Sequence, residues 1–275
     1  MKHIPLLSAL SLLLCPLSAA LAQNAPQPPA PTAFFEGDGR DNTPARAPRA
    51  GNPAQGTGRA GDAQGNTAAN ALDIAAKIVA GARAQVGVIK YDAAYVTMPY
   101  PGGDVPGHRG LCADVVVRAL RNAGYDLQYL IHEDRLLNLQ FYPRTMGWGR
   151  RGADPNSDHR VVPNQMFFFQ RFGTPLPLDV NEETLEQWQP GDLVYWNTGS
   201  PLLHAGVVSD TLDDQGCPFV IHMMDDDCVE SDDLLTWPII GHFRFPAKTP
   251  VPTMQDVAGQ NAHGQDAPED LTARQ

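Results

Sequence analysis

The sequence predicts an α+β domain with N-terminal helices packed on a small antiparallel sheet. Helix-period apolar residues fill the first half of the central region, and short β-type runs fill the second half. Residues 23–70, with Phe34 and Phe35 as exceptions, and residues 248–275 carry few of the large apolar side chains that a core requires.

The domain is expected over residues 71–247. Leu72, Ile74, Ala75, Ile78, Val79, Ala82 and Val86 form one apolar face, which predicts a helix over 71–86 with Gly87 as its stop. A Gly/Pro-rich loop follows at 99–110. A second helix is expected over 111–123, with Leu111, Val115, Ala119 and Leu120 at helical spacing and Gly124 as terminator. A third is expected over 127–139. Residues 147–163 read as loop, and Pro163 suits the first turn of a fourth helix over 164–172. Four β-type runs then follow, at 192–196, 205–209, 219–223 and 239–245, separated by turn residues.

The flanks carry other information. Residues 1–22 have the form of a secretory signal peptide: Lys2 and His3, an apolar run, then Ala20-Leu21-Ala22 as a cleavage signature. The run is too short for a comfortable membrane span. Leu14 before Cys15 argues against a lipoprotein site, where a small residue is normal. Residues 23–70 and 248–275 are poor in large apolar groups and are expected to be a disordered tether and tail. The protein is therefore expected in the periplasm or outside the cell, with no stable membrane insertion once the leader is removed.

Lys2 is the one charged residue of the leader, so its removal takes the formal charge from −11 to −12. An acidic chain of this kind does not favour nucleic acid or anionic membranes. Three cysteines remain after cleavage: Cys112, Cys217 and Cys228. An odd number in an oxidising compartment is consistent with one bridge and one free thiol. Cys217 and Cys228 are the pair close enough in sequence to bridge, which leaves Cys112 for chemistry.

Cys112 falls at the predicted start of the second helix, just after the glycine-rich loop. Unpaired N–H groups and the helix dipole favour a thiolate there, and the same groups can receive the oxyanion of an acyl-transfer intermediate. Asp114 works against the thiolate. The bland alternative is a small buried core cysteine. His204 opens an apolar strand run, from which a ring can project into a cleft. His222 lies inside the next run, where it can fix the tautomer of His204; otherwise it is a hydrogen-bonded core histidine.

The segment Gln189-Pro190-Gly191-Asp192-Leu193-Val194-Tyr195-Trp196, then His204-Ala205-Gly206-Val207-Val208, then Val220-Ile221-His222 resembles the order found in NlpC/P60-type papain-like cysteine peptidases. More closely, the chain resembles the DUF1287 family over about residues 71–246. That resemblance rests on Tyr100-Pro101-Gly102-Gly103-Asp104-Val105-Pro106, Gly110-Leu111-Cys112-Ala113-Asp114-Val115-Val116, Asp158-His159-Arg160 and Gly241-His242-Phe243-Arg244, together with the Pro190 and His204 segments. It implies a papain-like fold, a Cys112–His204–His222 triad without a cofactor or metal, and an amide substrate in peptidoglycan or another peptide-like polymer. Ala113-Asp114 stands where the NlpC/P60 pattern has Ser after the nucleophile, so substrate preference does not transfer directly.

Asp114, Asp158, His159 and Arg160 are candidate substrate-binding residues, with Arg160 suited to a carboxylate; a structural loop network explains the last three equally well. His132-Glu133 lacks the second His of a zinc-protease helix. The acidic run 225–233 lacks the glycine and ligand spacing of a calcium loop and reads as solvated. Three functions are open: an exported amide hydrolase or an acyltransferase with the same Cys–His pair, a binding module with a degenerate site, and a zinc site made from Cys112, His204 and His222.

Overall fold

The structure, a computed structural model, describes residues 60–144 and 152–246. The expected signal peptide, most of the tether and the tail lie outside the described residues. The chain runs α1 (Ala60–Arg83), β1 (Lys90–Tyr91), β2 (Arg109–Gly110), α2 (Cys112–Asn122), α3 (Leu127–Asn138), α4 (Val162–Phe172), β3 (Thr174–Pro175), β4 (Leu193–Trp196), β5 (His204–Leu212), β6 (Pro218–Met224), β7 (Asp227–Ser231) and β8 (Ile239–Arg244). Two 3-10 turns stand at Asp158–Arg160 and Leu185–Gln187.

The α+β class holds, but the sheet is larger than expected and mixed. Eight strands lie in the order β2-β1-β7-β6-β5-β4-β8-β3. The pair β1–β2 is parallel and the other pairs are antiparallel. Strands β1, β2 and β3 are two residues each, too short for a sequence period to reveal. Strand β7 corrects the solvated-loop reading of the acidic run. Asp225, at φ +50°, and Asp226 form a tight turn between Met224 and Asp227, and the run continues as a strand antiparallel to β6. Its acids are partnered: Asp227 with Lys90, and Glu230 with Arg83 at 2.7 and 2.9 Å.

Helix α1 starts earlier and stops earlier than its apolar face predicts. Its first residues include Gly61 and Gly65, which carry weak helix propensity. Beyond Arg83 the chain tightens, and the buried Gln85 amide donates to the carbonyls of Gly81 and Val115, both at 3.0 Å. Helices α1 and α2 cross closely at Gly81, where a Cβ would stand 2.5 Å from Asn122 Cβ.

The helices cover one face of the sheet. There Leu193, Tyr195, Ala205, Val207, Ile221, Met223 and Phe243 pack against residues of α2 and α4 that include Val116, Leu120, Phe168 and Phe169. The opposite face holds a smaller core of Trp188, Val194, Trp196, Val208, Val220 and Leu234. Strand alternation explains the division: consecutive residues of β4 and β5 point to opposite faces.

Cys217 and Cys228 do not form the expected disulfide. Cys217 directly precedes β6, whereas Cys228 is the second residue of β7 and lies opposite Met223. From Cys217 to Met223 the chain advances six positions, roughly 20 Å at about 3.3 Å per residue. A disulfide requires Cα atoms within about 7 Å. Closeness in sequence misled because the turn between them sits beside Cys228 rather than midway.

Candidate active site

Cys112 is the first residue of α2, and Leu111 is the N-cap. Asp114 reaches back to accept the Leu111 N–H at 2.7 Å, which closes the helix start. The thiol is half-buried and lies against the backbone N–H of Ala205, the residue after His204; the N–H groups of Cys112 and Ala113 are also close to it. Those donors favour a thiolate, as the sequence predicts. Burial outweighs them, and the Asp114 carboxylate acts with burial, so the thiol is pushed up to about 11. The expected resting thiolate is thus corrected to a neutral thiol. Helix position is a local signal, whereas burial depends on how β5 packs over the helix end.

His204 opens β5 opposite Trp196, on the face away from the helices. Its ring lies 5.6 Å from Trp196 and 5.5 Å from Trp237. Its Nε2 is 2.9 Å from Nδ1 of His222. Burial lowers the His204 pKa to about 4, helped by His222; Asp233 and the Met223 carbonyl oppose this. Burial also lowers His222. Both rings are therefore neutral near pH 7.

Gly206 makes this approach possible. A Cβ there would stand 2.9 Å from Trp196 Cη2 and 3.1 Å from His222 Cβ. Its register partners are Val194 on β4 and His222 on β6. The β5–β6 pairing starts at Gly206 and His222, so the strands are unpaired at Ala205 and Met223. The thiol meets the end of β5 at that opening. Among the described residues no hydrogen bond joins the thiol to either ring. In unliganded sites such bonds commonly form only with substrate present.

Two residues that sequence reasoning missed complete the constellation. His222 Nε2 is 3.1 Å from Ser231 Oγ and 3.3 Å from Asp233 Oδ2. Ser231 donates to Asp233 at 2.5 Å, and Thr236 donates to its other oxygen at 2.8 Å. The available signal was register: had β7 been read as a strand, Ser231 would fall diagonal to His222.

The candidate substrate-binding residues lie inside the protein. Asp114 and Arg160 are 2 % and 3 % exposed and form a two-pronged pair at 2.9 and 2.9 Å. Asp158 is fully buried between Arg135 and His132, the latter at 2.8 Å. His159 is buried, and its Nδ1 has no hydrogen-bond partner among the described residues. Burial lowers its pKa to about 3, with Arg160 and Arg121 acting in the same direction. Among the described residues no three His, Cys, Asp or Glu side chains are arranged to hold a metal ion.

Residues 79–245 match the family model described as a domain of unknown function, DUF1287. The chain belongs to the DUF1287 family. The match spans Cys112, His204, His222, Ser231 and Asp233. A relative from Escherichia coli (strain K12), the uncharacterized protein YijF, is 44% identical over 172 residues, covering 62% of this chain and 82% of that protein. No solved structure matches the chain. Within the DUF1287 match, the two histidines and Asp233 sit on β5, on β6 and just beyond β7, and Cys112 starts α2.

Proposed function

We propose that this chain is an exported cysteine hydrolase of the papain-like NlpC/P60 type that cleaves an amide bond in cell-wall stem peptides. The observation that carries the reading is the orientation of His204. Its Nε2 is engaged by His222 at 2.9 Å, while the Cys112 thiol lies against the next residue's amide. In this reading His204 Nδ1 serves the proton transfer, and substrate binding must first release the ring from the Met223 carbonyl beside it.

The mechanism begins from a neutral pair. As Sγ of Cys112 attacks the carbonyl carbon, His204 Nδ1 takes the thiol proton. The carbonyl π-bond opens to an oxyanion, which the N–H groups at the α2 start receive. The imidazolium then returns its proton to the leaving amine as the C–N bond breaks. A water gives a proton to His204 and attacks the thioester, and the thiolate leaves and regains that proton. His222 holds the ring through both half-reactions. The expected leader places the enzyme where wall peptides are accessible, and none of these steps uses a cofactor.

Purified cell wall is incubated with wild type and with Cys112→Ser, and released fragments are identified by mass spectrometry. Wild type is expected to release new amine and carboxyl termini, and the variant none. Absence of fragments from both, or the same fragments from both, sinks the hydrolase reading. The raised thiol pKa favours a second reading, a binding module of the same fold with an inert thiol. In that case Cys112→Ala keeps its affinity for wall and its cellular role.

A further inference from the structure

We propose that Gln165 is the positioning residue of Cys112: its amide ties the first turn of α2 to strand β4 and so holds the thiol shut against the Ala205 amide. The inference concerns the placement of the thiol, so it stands or falls separately from the hydrolase reading.

Gln165 lies on α4 and is fully buried. Its Nε2 donates to two carbonyl oxygens, that of Ala113 at 3.1 Å and that of His159 at 2.8 Å. A carbonyl oxygen only accepts, so the amide has one orientation, with Oε1 as its acceptor. The Tyr195 hydroxyl donates to that oxygen at 3.1 Å. One buried side chain thus joins three segments: the start of α2, the turn Asp158–Arg160 and β4.

These contacts close a circuit around the thiol. Tyr195 is fully buried and is the register partner of Ala205, and both belong to the helical face of the sheet. The Ala205 N–H faces the thiol. From the sulfur the path runs through Ala205, Tyr195, Gln165 and Ala113 back to Cys112. Burial raises the Tyr195 phenol, and a charge on Cys112 acts in the same direction, which sets phenol and thiol within electrostatic reach. The Asp114–Arg160 pair holds the next residue of α2 to the same turn. Gln165 carries the tie onward to the sheet.

The direction of the effect follows from the causes acting on the thiol. Burial is the largest of them and outweighs the Ala205 N–H. A thiol released from the sheet gains water, and water favours the charged form. Cutting the tie is therefore expected to make Cys112 more reactive near neutral pH, not less.

The test follows carboxamidomethylation of Cys112 by iodoacetamide from about pH 7 to about pH 10, read as the mass of the Cys112 peptide. With its thiol held at about 11, wild type is expected to speed up across the whole range without levelling. Gln165→Leu is expected to level off within it, near the ordinary thiol value of about 8.5, and to react roughly tenfold or more faster at about pH 8. Tyr195→Phe cuts only the β4 end and is expected to shift the profile in the same direction. The double variant is expected to add little to Gln165→Leu, because both changes cut one tie.

Gln128→Leu separates positioning from general loosening. Gln128 is equally buried, accepts the Gly103 N–H at 2.7 Å and donates to the Pro99 and Pro155 carbonyls at 2.9 and 3.1 Å. Those partners belong to loops and not to the circuit around the thiol. This variant is expected to melt lower with the wild-type profile. A wild-type profile in folded Gln165→Leu overturns the inference, as does an equal shift in Gln128→Leu. Should Gln165→Leu not fold, a wild-type profile in Tyr195→Phe, which loses one hydroxyl, overturns it. The wall assay is independent: a shifted profile without wall cleavage supports the positioning role and removes the hydrolase reading.

Discussion

Replacing Arg160 with methionine removes the guanidinium that neutralises Asp114 and leaves a buried carboxylate. Three contacts disappear: Nε and Nη2 to the two Asp114 oxygens, each at 2.9 Å, and Nη1 to the Ala94 carbonyl at 3.0 Å. Asp114 is 2 % exposed and keeps the Leu111 N–H as a donor. Breaking one side of such a buried pair costs about 3–5 kcal/mol, because the surviving charge loses its partner while still excluded from water. For a domain of this size each kcal/mol lowers the melting temperature by roughly 2–4 °C, so a fall on the order of 10 °C is expected. Thermal unfolding followed by circular dichroism at neutral pH measures it. Adding Asp114→Asn to Arg160→Met is expected to recover much of the loss, since the stranded charge is then gone. A substrate-carboxylate role for Arg160 predicts the reverse pattern, an unchanged melting curve with a raised KM. A single variant that melts within about 2 °C of wild type would refute the structural assignment.

Gly206→Ala places a Cβ 2.9 Å from the Trp196 ring and 3.1 Å from His222 Cβ, and is expected to cost about 1–3 kcal/mol in a urea titration; wild-type stability would show that the rings yield freely. His159 has a folded pKa of about 3, below its ordinary 6.5, so the unfolded chain binds the extra proton first. Its stabilising contribution is complete above about pH 6.5 and is lost as pH falls toward about 3. Between near-neutral pH and about pH 4.5, wild type is expected to lose about 2–3 kcal/mol more than His159→Gln in denaturant titrations; equal losses would contradict the burial argument.

The parts of the site that were legible in the sequence are those that break a local pattern. His222 stands where an apolar strand run calls for an aliphatic residue, and His204 opens such a run. Cys112 follows a loop and starts a helical period. Ser231 and Asp233 break no pattern: in a run with six acids from Asp225 to Asp233, both look like solvent-facing loop. Only the turn at Asp225 and Asp226 turns that run back along β6 and brings Asp233 to His222. The thiol's protonation was misread for a similar reason. The helix start is visible in one dimension, whereas the burial imposed by β5 is not. The same holds for β1, β2 and β3, whose two-residue pairings exist because distant segments are brought alongside β7 and β8.

The sheet separates the two groups of the proposed mechanism, and from the sheet only the Ala205 amide at the end of β5 is turned to the thiol. Cys112 belongs to the helical face, with Ala205 and Val207 beneath α2. His204 belongs to the other face, beside Trp196. Within a paired strand those sides are separated by the backbone layer, so a side chain from one does not reach the other. At the end of β5 the pairing with β6 has not yet begun, and the Ala205 amide is turned to the thiol. This geometry fits the proposal that the base is the first residue of its strand rather than one farther in. A histidine two positions later would stand at Gly206, between Trp196 and His222, where not even a methyl group fits without displacement. It also explains the neutral resting pair. A thiol wedged at a sheet end, with an acid two residues on, lacks the solvent and counter-charge that a standing thiolate needs. In the proposed mechanism proton transfer must therefore accompany attack.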